Sequence, residues 1–165
     1  SEQMPFLLDK FPTFSDFGEA QVHDILGDKM NTAFHKEVKM FASVILVNEG
    51  KKFSIKELPF DAQLSAITGI QHYDFNEDGF QDLIIVGNMY QTEAETSRAD
   101  ASIGLVMLND KKGNFNSLKL TESGLYAPGD IKDFKIAYQG KKNPVLIFAN
   151  NNAPIQTFKL YKKQK

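Results

Sequence analysis

From residue 44 onward the apolar residues come in short runs, each closed by turn-forming residues. This patterning limits the fold more than any other feature of the chain. Val44-Ile45-Leu46-Val47 runs into Asn48-Glu49-Gly50, and Leu83-Ile84-Ile85-Val86 is closed by Gly87-Asn88. Leu105-Val106-Met107-Leu108 ends at Asn109-Asp110 with Gly113 beyond, and Val145-Leu146-Ile147-Phe148 closes near Asn150. Phe53–Leu58 and Thr157–Tyr161 alternate apolar and polar residues with period two, as half-buried strands do. Almost nothing after residue 40 carries a helical period, so the expected fold is all-β.

The runs also recur. Val44 to Phe53 resembles Val106 to Phe115, and Leu83 to Asn88 resembles Val145 to Asn150. Phe53 and Phe115 stand 62 residues apart, and so do Asn88 and Asn150. Two features with one offset indicate an internal repeat, with units of about 41–100 and 101–161; two unrelated hairpins sharing turn chemistry are the alternative. Several short strands per unit are the signature of a β-propeller blade or a comparable all-β array. A four-stranded blade has two apolar faces and needs neighbours to cover both. The chain has room for about two to three blades, whereas closed propellers use about 4–8. Such an array leaves sheet edges to be covered by the leading segment, by further sequence or by self-association. The polar stretch Met89–Asp100 lies between two strong strands and reads as a lid or a connector.

Residues 1–36 differ from the repeat region at 37–165. Pro5 and Pro12 punctuate an aromatic stretch, and Ser15 or Asp16 offers an N-cap before Phe17, Ala20, Val22, Ile25 and Leu26. With Gly27 as a stop and Gly18 weakening the middle, one short amphipathic helix is expected over 16–26.

Between the matched runs lies Asp74-Phe75-Asn76-Glu77-Asp78-Gly79-Phe80-Gln81-Asp82. Oxygen side chains recur at loop positions 1, 3, 5 and 9, with glycine at position 6, a spacing that wraps a short loop around one hard cation. Asp74, Asn76 and Asp78 would point inward, Gly79 would allow the sharp turn, the Phe80 carbonyl would face the ion, and Asp82 would close the far side. Calcium suits six to eight flexible oxygen ligands, whereas zinc would call for His or Cys. Glu77 falls at a non-ligand position. An EF-hand is excluded, because that loop needs a bidentate Glu at position 12 and Ile85 stands there. The flanks, Ser65–Ile70 and Leu83–Val86, also favour strands over helices. A plain Asx-rich turn is the alternative to a metal loop.

At these residues the chain resembles the FG-GAP/VCBS repeat family, whose β-propeller blades carry a DxDxDGxxDL calcium loop. The motif here is Asp74-x-Asn76-x-Asp78-Gly79-x-x-Asp82-Leu83, with Asn at the second ligand position. The strand–turn unit Leu46-Val47-Asn48-x-Gly50-x-x-Phe53, leading to Leu58-Pro59, is similar to the segment before that loop in family blades. Arg98-x-Asp100 before Gly104 resembles the bacterial surface group. The resemblance covers about residues 41–161 and implies bound Ca2+, an extracytoplasmic location and a protein or glycan ligand. In the second unit Asp133 aligns near the first ligand, but Lys135 and Ala137 replace the next two, so one calcium site is expected rather than two.

Composition narrows the remaining choices. Nineteen basic and 21 acidic residues leave a net charge of -2, which argues against a generic nucleic-acid surface. With no cysteine, disulfides, thiolate metal sites and cysteine nucleophiles are excluded. No run approaches the roughly 18 apolar residues of a membrane span. The start, Ser1 to Met4, lacks the basic and apolar regions of a signal peptide, as in a cytoplasmic or a processed chain. Lys159, Lys162, Lys163 and Lys165 read as a solvated tail. His23, His35 and His72 show no metal-ligand spacing, and no GxSxG or glycine-rich phosphate loop occurs. Asp130, Asp133 and Glu122 are carboxylates without a spacing that places them across a substrate. Asn150-Asn151-Asn152 reads as a turn. The expected function is therefore a non-enzymatic, calcium-stabilised binding module; a polysaccharide-active propeller using loop 89–101, or a purely structural piece of a larger propeller, are the alternatives.

Overall fold

The computed structural model describes residues 4–140 and 143–161. Lys162, Lys163 and Lys165 of the basic tail lie outside the described residues. Residues 1–41 and 42–165 form two compact units, the division falling a few residues beyond the boundary drawn from sequence.

The first unit is built of short helices: α1 (Phe6–Lys10), α2 (Phe14–Glu19) and α3 (Val22–Leu26), followed by a 3-10 turn over Gly27–Asn31. The single helix expected over 16–26 is thus two. Gly18 weakens the first, and Ala20 and Gln21 are extended, with ψ of 137° and 163°. Asp24 Oδ2 accepts the Gln21 N–H at 2.9 Å and starts a new helix there. The N-cap of α2 is Thr13, whose Oγ1 accepts the Asp16 N–H at 3.1 Å, rather than Ser15 or Asp16. No residue of these helices is buried.

The second unit is mostly β, in three antiparallel sheets. Strands β1 (Val44–Asn48) and β2 (Phe53–Glu57) form a hairpin. Strands β3 (Gly69–Tyr73), β4 (Asp82–Val86), β5 (Leu105–Asn109) and β6 (Phe115–Ser117) pair in chain order. After α4 (Leu120–Ser123), strands β7 (Ile131–Gln139), β8 (Asn143–Asn150) and β9 (Gln156–Lys159) form the third sheet. No closed sheet is present among the described residues.

The central sheet is covered on both faces. Ile84, Val86 and Val106 pack with Phe134, Leu146 and Phe148 of the third sheet, where the Phe134 and Phe148 rings stack at 5.0 Å. Ile85 and Met107, on the other face, pack with Leu58 and Ala62 and with half-buried Ile45. This explains why β4 is apolar from Leu83 to Val86: a strand buried on both sides has no polar alternation.

Register refines the repeat. Asn48 pairs with Phe53 and Asn109 with Phe115, so Leu46 corresponds to Met107, one residue short of the 62-residue offset. In β8 the shift is the other way: Leu146 and Phe148 turn toward the preceding sheet, as Leu83 and Ile85 do in β4. A one-residue slip exchanges the faces of a strand, so packing, not residue type, identifies the equivalent positions. The segment 130–140, matched in sequence to the 74–82 loop, is no loop: Asp133, Lys135 and Ala137 lie within β7.

This correspondence exposes an uncovered face. Met107 and Phe115 are covered by Ile45, Leu58 and Ala62. Their counterparts on the hairpin, Leu46 and Phe53, are 59% and 64% exposed, and Ile55 beside them is 54% exposed.

Candidate metal centre

The loop joining β3 to β4 begins after Tyr73 and ends on Asp82, which pairs across to Tyr73. Its shape follows from side chains folding back on backbone amides. Asp74 Oδ1 and Asn76 Oδ1 both accept the Asp78 N–H, at 3.0 and 3.1 Å, and Asp74 Oδ2 accepts the Gly79 N–H at 2.9 Å. Asp78 Oδ1 accepts the Phe80 N–H at 2.9 Å. Gly79 has φ of +88°, the left-handed turn its position requires. Asp74, Asn76 and Asp78 are therefore gathered on one side of a tight loop. The Phe80 hydrogen bond does most to hold the Asp78 carboxyl below its ordinary value, with Lys111 and Asn76 adding and burial opposing.

Asp82 is placed differently. It is fully buried; Oδ2 accepts the Phe75 N–H at 2.9 Å and Oδ1 accepts the Asn109 N–H at 2.8 Å. It closes the loop and also ties β4 to the end of β5. At the loop base, His72 Nδ1 lies 2.9 Å from Gln81 Oε1. Glu77 is exposed, with φ of +58°.

The donor set suits a hard cation in part. Asp74 and Asp78 offer carboxylate oxygens and Asn76 its Oδ1, while Asn76 Nδ2 donates to Asp78 Oδ2 at 3.2 Å; a carboxylate oxygen that accepts one N–H retains a second lone pair. Among the described residues no group of three His, Cys, Asp or Glu side chains is arranged as a metal site. The gathered set here is two carboxylates and an amide, and Asp82 is turned to its backbone partners.

A second polar cluster, unread in the sequence, organises loop 89–100. Asn88, fully buried, donates from Nδ2 to the Ser102 and Gly129 carbonyls, both at 2.9 Å, and accepts the Ser102 N–H at 3.0 Å. The Asp130 carboxylate, 2% exposed, meets Lys132 Nζ at 2.7 Å and Asn151 Nδ2 at 3.0 Å, and accepts the Tyr90 N–H. Lys132 chiefly lowers the Asp130 carboxyl from its ordinary value, against burial. Met89 and Ala99 pair across the loop base, and the Arg98 guanidinium, bonded to Asp100 at 3.0 Å, lies over the Tyr90 ring. The three carboxylates singled out in sequence serve separate tasks. Asp130 holds Lys132, Asp133 holds Lys135, and Glu122 accepts the Lys119 N–H at the start of α4.

No family model, no curated protein and no solved structure matches the chain. No described helix is long and apolar enough to cross a membrane.

Proposed function

We propose that the chain is a calcium-stabilised, non-enzymatic binding module made of FG-GAP/VCBS-like blades, acting outside the cytoplasm on a protein or glycan ligand. The observation that carries this reading is the loop between β3 and β4, where Asp74, Asn76 and Asp78 fold back on the successive amides of Asp78, Gly79 and Phe80. Calcium there would be held by those three side chains together with the Phe80 carbonyl and, after release from part of its backbone bonding, Asp82. The ion would supply charge neutralisation, joining two adjacent strands at their turn. The blade reading is supported by the translation of one packing scheme from sheet to sheet, in which Ile45 and Val106 each turn toward the following sheet. The extracytoplasmic location and the class of ligand rest on the family resemblance.

The test is thermal unfolding with calcium and with chelator. At about 100-fold excess over Kd, ligand linkage gives roughly 2.7 kcal/mol, a rise in Tm of about 5–10 °C for a chain of this size. Asp78→Ala is expected to abolish that rise. Superimposable curves with calcium and chelator would overturn the reading.

Self-association through the bare β1–β2 face belongs to the same reading, since Leu46, Phe53 and Ile55 occupy positions that a neighbouring sheet covers one unit later. Sedimentation equilibrium is expected to show concentration-dependent association that Leu46→Lys removes. A monomer at all concentrations would exclude it.

A further inference from the structure

We propose that Lys111 is a tethered counter-cation of the 74–82 loop, one that calcium must displace from Asp78 and that keeps the affinity of the site low. The inference rests on the calcium reading above. Lys111 does not belong to the loop. It comes from the neighbouring turn between β5 and β6, and its Nζ reaches to 3.3 Å from Asp78 Oδ2 while lying 5.5 Å from the centre of the Phe80 ring. The ammonium thus bonds a carboxylate that the metal would need, beside the residue whose carbonyl the metal would share.

The turn that presents Lys111 is held against the loop on both sides. The Asn109 N–H donates to Asp82 Oδ1 at 2.8 Å, and Asn109 Nδ2 donates to the Gln81 carbonyl at 3.2 Å. From β2, Lys56 Nζ reaches the Lys112 and Gly113 carbonyls at 3.3 Å and Asn114 Oδ1 at 3.1 Å. Within the turn, Asp110 Oδ1 accepts the Lys112 and Asn114 N–H groups. Lys111 itself has φ of +66°, a conformation that disfavours a side chain with a β-carbon, and its N–H is fixed to Asn109 Oδ1 at 2.9 Å. Lys56, by contrast, spends its ammonium on the turn, so Lys56 and Lys111 have different tasks.

In the calcium-free loop, the Lys111 ammonium relieves the repulsion between Asp74 and Asp78. A divalent ion gathered by Asp74, Asn76 and Asp78 would lie within a few ångströms of the ammonium and be repelled by it, so binding requires Lys111 to swing into solvent. Its side chain is already 54% exposed, which leaves that route open. The expected affinity is then in the weak range of extracellular calcium modules, about 10⁻⁴–10⁻³ M.

Isothermal titration with calcium chloride on the full chain tests this, comparing wild type, Lys111→Gln and Lys111→Arg. The glutamine variant is expected to bind calcium about fivefold more tightly, a change that shrinks at high salt, while the arginine variant stays within about twofold of wild type. Unchanged affinity in Lys111→Gln would overturn the proposal. Weaker binding would overturn it too, because Lys111 would then be a prop that shapes the loop for the ion. Calcium uptake by none of the three proteins would instead overturn the calcium reading itself, and this proposal with it.

Discussion

Asp82→Ala is expected to destabilise the protein by about 3 kcal/mol in chelator, with no metal involved, whereas Asp78→Ala should cost much less there. The contrast comes from where the two carboxylates sit. Asp82 is fully buried and accepts two backbone N–H groups, from Phe75 and Asn109. Alanine would strand both donors, one on the 74–82 loop and one on β5, and a buried donor left without a partner costs roughly 1–3 kcal/mol. Asp78 is half-buried beside Lys111 and its Oδ1 accepts one N–H, from exposed Phe80, so its removal strands a single donor at the edge of the loop. Urea unfolding of both variants in chelator, then in calcium, separates the roles. Asp82→Ala should be less stable in either solution, and Asp78→Ala should differ from wild type mainly in calcium. Equal losses for the two variants in chelator would show that Asp82 has no structural role beyond that of a loop ligand.

This division of labour bears on what the sequence could reveal. The DxNxDGxxD spacing identifies a loop and its oxygen donors, because spacing along one short segment is a local property. It cannot show that the ninth-position carboxylate also receives the Asn109 amide, 27 residues away, or that Lys111 leans in from another turn. Both depend on β5 pairing beside β4. The same distinction runs through the fold. β4, β5 and β8 are legible as dense apolar runs because the sheets bury them heavily. β7 is not, since Lys132, Asp133 and Lys135 face outward and break its pattern; what makes it a strand is pairing with β8 over nearly its whole length. The N-terminal helix shows the opposite failure: its apolar residues are spaced for one helix, but the Gln21–Asp24 capping box sets a new start.

The internal repeat is the case where sequence and packing come closest without coinciding. Matching residue types gives 62 residues for both the hairpin and the strand that follows it. Strand register instead puts Leu46 with Met107, and burial puts Leu83 with Leu146, on either side of that value. The two units differ at a turn and at a strand irregularity. The loop between β1 and β2 is one residue shorter than that between β5 and β6, and the pairing of β7 with β8 carries an irregularity between Ile131 and Asp133. Turns of different length absorb residues while sheet faces keep their orientation, so a repeat aligned by its turn residues drifts out of phase with its core.

Gly87→Ala should be the most damaging small substitution in the chain, at about 4 kcal/mol, because two costs coincide there. The residue follows β4 with φ of +143°, a conformation side-chain-bearing residues rarely adopt. An added β-carbon would also stand 2.5 Å from Thr68 Oγ1 and nearer still to the Ala66 carbonyl oxygen and the Thr68 nitrogen. Two of those atoms are backbone and have little room to move: the Thr68 N–H is bonded to the Val86 carbonyl at 2.9 Å, and its hydroxyl donates to the Ile131 carbonyl of the third sheet. Any relief must displace Asn88, the next residue, from its bonds to Ser102 and Gly129. Gly50 separates the two costs. Its φ is +90°, yet nothing lies within 4 Å of an added β-carbon, so Gly50→Ala carries the conformational cost alone, about 1 kcal/mol. Urea unfolding of both variants should therefore differ by about 3 kcal/mol. Similar losses at the two sites would mean that the segment around Thr68 yields to the new methyl group, and that the link from β4 to the third sheet is softer than its hydrogen bonds indicate.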